Sequence, residues 1–184
     1  MQYKLILSSC VPGSIWEKSQ TETGADGLRK IKEYQFNFQT TSFDDFFTSN
    51  PDYFVTSNLC RKLATFPCSG VKFIETPFSI EPELSGRASS MPSIFRLDIS
   101  GEPGKDDICR YTKTSLIISE RVYNLLKTCQ IEELEVCDFT SENACDPRKM
   151  YGDFEDDDGD LLDQLTQKLR SSWEQAQTAI TRNV

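Results

Sequence analysis

Phe54-Val-Thr-Ser-Asn-Leu-Cys-Arg-Lys-Leu-Ala-Thr-Phe66 and Leu116-Ile-Ile-Ser-Glu-Arg-Val-Tyr-Asn-Leu-Leu-Lys-Thr128 are the stretches whose reading decides the fold. Each opens on a short apolar run, the signature of a buried strand, and passes through a serine into a helical pattern. A chain leaving an extended strand must satisfy the first free helical N–H groups at once, so Ser57 and Ser119 are the expected caps. The helices predicted behind them are Asn58–Thr65, ended by Pro67, and Glu120–Cys129, with Val122, Leu125, Leu126 and Cys129 on one face. Each is followed by a predicted strand, Val71–Glu75 or Leu134–Phe139. Laid Ser57 on Ser119, the pieces also match Leu63 with Leu125, and apolar positions coincide at Phe54/Leu116, Val55/Ile117, Cys60/Val122 and Ala64/Leu126. The match leaves open a true duplication or a chance likeness between two strand-helix units.

Outward from these units, Tyr34, Phe36 and Phe38 alternate and predict a strand over Ile31–Phe38. Further strands are expected at Tyr3–Leu7, Tyr53–Thr56, Ile94–Ile99 and Ser115–Ile118. Thr21–Asp26 and Glu81–Pro92 read as loops, Phe43-Asp-Asp-Phe-Phe47 as an aromatic turn or short helix, and Gly101–Lys105 as a surface turn. Near the end, Leu162, Leu165, Leu169, Trp173, Ala176 and Ile180 fall on one helical stripe, with Asp160 as its N-cap and Asp163 three residues on. The stripe suits docking on a sheet. The expected class is α+β: a mixed sheet with short packed helices, two strand-helix-strand units and a long C-terminal helix. One domain spans residues 1–184, with 51–140 as the core units and 153–184 as an acidic linker and helix.

The composition narrows function. Among 184 residues, 20 Lys+Arg against 29 Asp+Glu leave a net charge of −9, which repels phosphate and argues against nucleic acid or anionic membrane as a partner. The sequence contains no histidine, which removes the commonest general base and zinc ligand, and with them every Ser-His or Cys-His nucleophile. Cys10, Cys60, Cys68, Cys109, Cys129, Cys137 and Cys145 form no Cys-x-x-Cys pair, and their odd number suits free thiols in a reducing cytoplasm rather than a disulfide framework. The apolar run in Met1-Gln-Tyr-Lys-Leu-Ile-Leu-Ser8 is too short for a signal peptide. A non-enzymatic, cytoplasmic protein without metal or cofactor is the expectation.

Motif-like spellings are weak. Gly101-Glu-Pro-Gly-Lys105 has the wrong glycine spacing for a phosphate loop, and Ser69-Gly-Val-Lys72 sits at a turn rather than on one helical face. The acidic stretch fails as an EF-hand: with Gly159 at the sixth position, the first and twelfth ligands would be Phe154 and Leu165. Asp153, Glu155, Asp156, Asp157, Asp158 and Asp160 surround Phe154, and seven acids with no base occur between residues 153 and 163. The plain account is a solvated linker; the functional one is a negative surface offered to a basic protein, which makes these seven named residues the candidate partner site.

Leu116-Ile-Ile-Ser-Glu-Arg121, with Leu125 and Leu126 inside the helix and Leu134-Glu-Val136 after it, resembles the strand-Ser-Glu-Arg-helix-strand element of immunity proteins from bacterial polymorphic toxin systems. Pro51-Asp-Tyr-Phe-Val-Thr-Ser57 is a weaker upstream copy, and the Tyr3-Lys-Leu-Ile-Leu7 strand, length and acidity agree. The acidic run and the C-terminal helix have no counterpart in that pattern. The resemblance implies an inhibitor that binds one cognate toxin domain, expected to be basic, and blocks its active site. Two other readings stand beside it. One is a non-catalytic adaptor or scaffold for a basic protein; the other is a carboxylate/divalent-metal enzyme built on Asp106, Asp107 and the 153–160 acids.

Overall fold

The computed structural model describes residues 2–9, 20–23, 29–36, 44–49, 52–80, 91–112, 115–151 and 159–183. Strands β1 (Tyr3–Ser9), β2 (Gln20–Thr23), β3 (Arg29–Phe36), β4 (Phe46–Ser49) and β5 (Asp52–Thr56) lead into α1 (Ser57–Thr65). Then come β6 (Val71–Glu75), β7 (Phe78–Ile80), β8 (Ile94–Ile99), β9 (Ile108–Arg110) and β10 (Leu116–Ser119). The chain continues with α2 (Glu120–Leu126), β11 (Leu134–Asp138), α3 (Ser141–Ala144), α4 (Pro147–Tyr151) and α5 (Gly159–Arg182). The architecture is α+β. Two four-stranded sheets, β4-β5-β8-β6 and β9-β10-β1-β11, are antiparallel throughout; the parallel pairing that makes the fold mixed is β3 on β7, in the small sheet β2-β3-β7.

Written in that order, the two large sheets are the same unit built twice. A hairpin feeds a capped helix, the chain returns as an edge strand, and a further antiparallel strand is threaded between. Registers agree: Phe46↔Val55 and Phe47↔Phe54 correspond to Ile108↔Ile118 and Cys109↔Ile117. Thr56↔Ile94 corresponds to Ser119↔Tyr3, and Glu75↔Phe95 to Asp138↔Lys4. Even the entry bonds repeat, with Ser57 N donating to Ser93 O (2.8 Å) and Glu120 N to Gln2 O (3.1 Å). The two units differ in chain order: the threaded strand is β8, after its own unit, in one case and β1, at the start of the chain, in the other.

The central core is where the two units meet. Phe46, Tyr53, Val55, Leu59, Leu63 and Leu97 come from the first, and their counterparts Ile108, Leu116, Ile118, Val122, Leu126 and Ile6 from the second. Neither unit closes this core alone. The outer faces are covered differently. On the second sheet, Tyr3, Leu5, Cys109 and Ile117 pack under Ala144, Met150, Leu169 and Ala176 of α3–α5, so the predicted helical stripe does dock on a sheet. On the first, Phe47, Phe54 and Ile94 pack against Tyr34 and Phe36 of β3, in a network of stacked and edge-on rings.

Several expectations change. Phe46–Ser49 is a strand rather than a turn or helix, because pairing with β5 outweighs local pattern. Thr21–Thr23, expected as loop, belongs to β2, and β7, β9, α3 and α4 are too short to leave a periodic signal. The second helix stops at Leu126 and winds on as turns to Cys129. Asp160 lies inside the first turn of α5 rather than at its cap. The Gly101–Lys105 turn is not merely superficial. Gly70 (φ +85°) and Gly101 press together where the first unit hands over to the second, and a Cβ on Gly101 would lie 2.1 Å from Ile108 O. Glu81–Ser90, Asn37, Phe38 and Cys10 lie outside the described residues.

The cap of α1 also moves by one residue. Thr56, still extended, accepts from Leu59 N as Ser119 accepts from Val122 N, so the structural match is Thr56 with Ser119, Leu59 with Val122 and Leu63 with Leu126. Thr56→Ala is expected to cost about 1–2 kcal/mol in urea denaturation, whereas Ser57→Ala stays within about 0.5 kcal/mol. The reverse order would return the cap to Ser57.

Candidate functional site

Where carboxylate, hydroxyl and cationic groups converge, they do so twice, at equivalent places. Asp107, 1% exposed, stands just before β9. One carboxylate oxygen accepts from Ser119 Oγ (2.7 Å) and Arg121 Nε (2.6 Å); the other accepts from Arg121 Nη2, Ser69 N (3.1 Å) and Ser69 Oγ (3.2 Å). Arg121 also donates through Nη2 to Pro67 O and lies over the Phe66 ring, 4.9 Å from its centroid. Asp45, 5% exposed, stands just before β4. It accepts from Thr56 Oγ1, Asn58 Nδ2 (2.8 Å) and Gln130 N (3.2 Å).

The correspondence is complete in role. Each aspartate takes the capping hydroxyl of its own unit and the side chain two residues further on, Asn58 or Arg121. Each also takes a backbone N–H from the loop behind the helix of the opposite unit, Gln130 or Ser69. The Ser-Glu-Arg motif is therefore a clamp: Ser119 caps the helix while Arg121 anchors Asp107, and Glu120 points to solvent.

Burial alone would raise the Asp107 carboxyl pKa. Donation from Arg121, then Ser119 and Ser69 N–H, outweighs it and lowers the pKa from 3.8 to about 2. An ionised carboxylate with five donors has no lone pair left for a substrate proton, so the cluster braces rather than catalyses. Two thiols are likewise quiet: burial pushes Cys68 up to about 11 and, with Asp106 beside it, Cys109 up to about 12. Cys60, Cys68, Cys109, Cys129, Cys137 and Cys145 are all free.

Of the sequence-predicted partner residues, Asp153, Phe154, Glu155, Asp156, Asp157 and Asp158 lie outside the described residues. Asp160 is exposed, beside the exposed Leu161. The structure does not bring Asp160 to Asp106 and Asp107. The loop before them packs by Gly104 on Ala179 and Ile180, at the far end of α5, roughly 28 Å from Asp160 at 1.5 Å per helical residue. Asp106 is itself engaged by Glu102 N (2.8 Å). Among the described residues, no three His, Cys, Asp or Glu side chains gather in a metal-binding arrangement, and no helix is long and apolar enough to cross a membrane. Sequence reasoning missed Asp45, Asn58, Ser69 and Gln130. The available signal was the Asp-Asp doublet, Asp44-Asp45 and Asp106-Asp107, each shortly before a strand-ending Thr or Ser.

The shift at Asp107 sets a pH dependence. Its carboxyl takes up a proton more readily in the unfolded chain, so its contribution is complete above the ordinary carboxylate range and lost as pH falls through about 2. That contribution is of the order of 2 kcal/mol. In urea denaturation, the stability gap between the natural chain and Asp107→Asn should shrink steadily from pH 5 to pH 2. A gap that stays constant over this window would mean that Asp107 is not the group whose ionisation holds the clamp.

Comparison with models of known protein families finds none that matches this chain, and comparison with curated proteins finds no match either.

Proposed function

We propose that the chain is an immunity protein: it binds a cognate basic toxin domain and blocks that domain's active site. The observation that carries the reading is that the two converging polar clusters, at Asp45 and Asp107, are consumed in bracing the scaffold, which leaves recognition to the exposed surface. A rigid body with excess negative charge suits capture of a cationic protein, since complementary charge raises the encounter rate and disfavours wrong partners. The likeness of Leu116–Arg121 to the strand-Ser-Glu-Arg element supports the same reading, and the clamp supplies a physical reason for such a motif in a non-catalytic protein. Asp153, Phe154, Glu155, Asp156, Asp157, Asp158 and Asp160 remain proposed partner-binding residues on sequence grounds.

The test is co-expression with the toxin domain encoded directly upstream of its gene. Growth should be rescued, and the purified pair should form a stable complex, while an unrelated toxin domain is neither bound nor neutralised. Changing Asp156, Asp157 and Asp158 to Asn should slow association several-fold at low salt and leave dissociation nearly unchanged. Failure of rescue together with failure of complex formation would sink the reading.

A further inference from the structure

We propose that the outer edge of β11 is a docking edge for an extended, lysine- or arginine-rich segment of a protein partner, which joins the second sheet as a fifth strand. The inference rests on the reading above only for the sign of the partner's charge.

The geometry of the edge comes first. β11 is the last strand of its sheet, and among the described residues no strand pairs on its far side. Phe139 N donates to Tyr3 O (3.3 Å), so in the alternating antiparallel pattern Cys137 turns its backbone toward Leu5, and Val136 and Asp138 turn theirs outward. Asp138 O is occupied by Asn143 Nδ2 (2.9 Å), but the outward amides point away from the sheet. A row of such groups is a template for another strand.

The charge along it chooses the occupant. Residues 130–138 contain four acids and no base. Lys4 reaches Asp138 at 2.5 Å and offsets one of them, while Glu132 and Glu133 are exposed. The approach to the strand is fixed, because buried Asp44 accepts from Glu132 N (3.0 Å) and Glu133 N (3.1 Å) and holds both side chains at the rim. The equivalent edge of the other unit, β6, carries one base, Lys72, and one acid, Glu75. The same architectural position has therefore been given a uniform sign in only one unit. Two β11 edges repel each other, which guards against pairing with a second copy, and a basic strand is admitted.

The test uses a blocked peptide of alternating Lys and Val, with its Glu-Val counterpart and a version N-methylated on every residue so that both hydrogen-bonding edges are lost. The Lys-Val peptide should shift the Val136 and Asp138 amide resonances and slow their exchange. Glu132→Gln with Glu133→Gln should weaken it at least tenfold at low salt, and the other two peptides should not bind. Absence of binding, equal binding of the N-methylated peptide, or shifts confined to residues 153–160 would overturn the proposal. The peptide assay needs no toxin, so the two readings fail separately. Peptide capture without toxin neutralisation keeps the edge and sinks immunity; neutralisation without peptide capture does the reverse.

Discussion

Two buried carboxylates, Asp45 and Asp107, govern how this chain can fold. An ionised carboxylate withdrawn from water costs several kcal/mol unless donors surround it. Here part of the donor set belongs to the other half of the molecule: Ser69 N–H for Asp107 and Gln130 N–H for Asp45. Neither unit can therefore satisfy its own aspartate in isolation. The same mutual dependence holds for the apolar groups, since the central core draws matching sets from both units. Polar and apolar constraints point to one answer, the consistency that lets a sequence specify a single structure.

Once the two units are locked, what varies lies outside them. The second sheet is covered by α5 and the first by β3, so the same inner architecture carries two different coats. Position 58 is Asn where position 121 is Arg, which makes one clamp neutral on that side and the other charged. The edge strands β6 and β11 differ in the same way, mixed in sign on one and acidic on the other. A scaffold repeated within and diversified at its margins suits a protein that works by contact.

Much of this was legible in the residues. The strand-cap-helix-strand units stood out because a hydroxyl between an apolar run and a helical stripe has a local physical meaning, and the α5 stripe from Leu162 to Ile180 because 3.6-residue periodicity survives over about five turns. The duplication was half visible. Aligning serine with serine set the frame one residue off, since Thr56 caps as well as Ser119 does and the neighbouring Ser57 was a distractor. The threading of β1 into the second sheet was not visible, because long-range pairing leaves no trace in spacing. The aspartate doublets were visible as spellings but not as clamps. Their meaning depends on Ser69 and Gln130, which are distant in sequence and contribute backbone amides that any residue would supply. The proposed acidic partner site stays a sequence inference, while the acids of β11 gained significance only when that strand was placed at a sheet edge.

The most direct measurement of the central claim is native-state hydrogen exchange at the amides of Ser69 and Gln130. Both sit in exposed loops behind short helices, where amides ordinarily exchange through small local openings. If the two units stand or fall together through their aspartates, these two amides exchange only by global unfolding, with the free energy found by urea denaturation. Exchange of either amide at a markedly lower free energy, with the rest of the opposite unit still protected, would contradict the account and make the two halves independent.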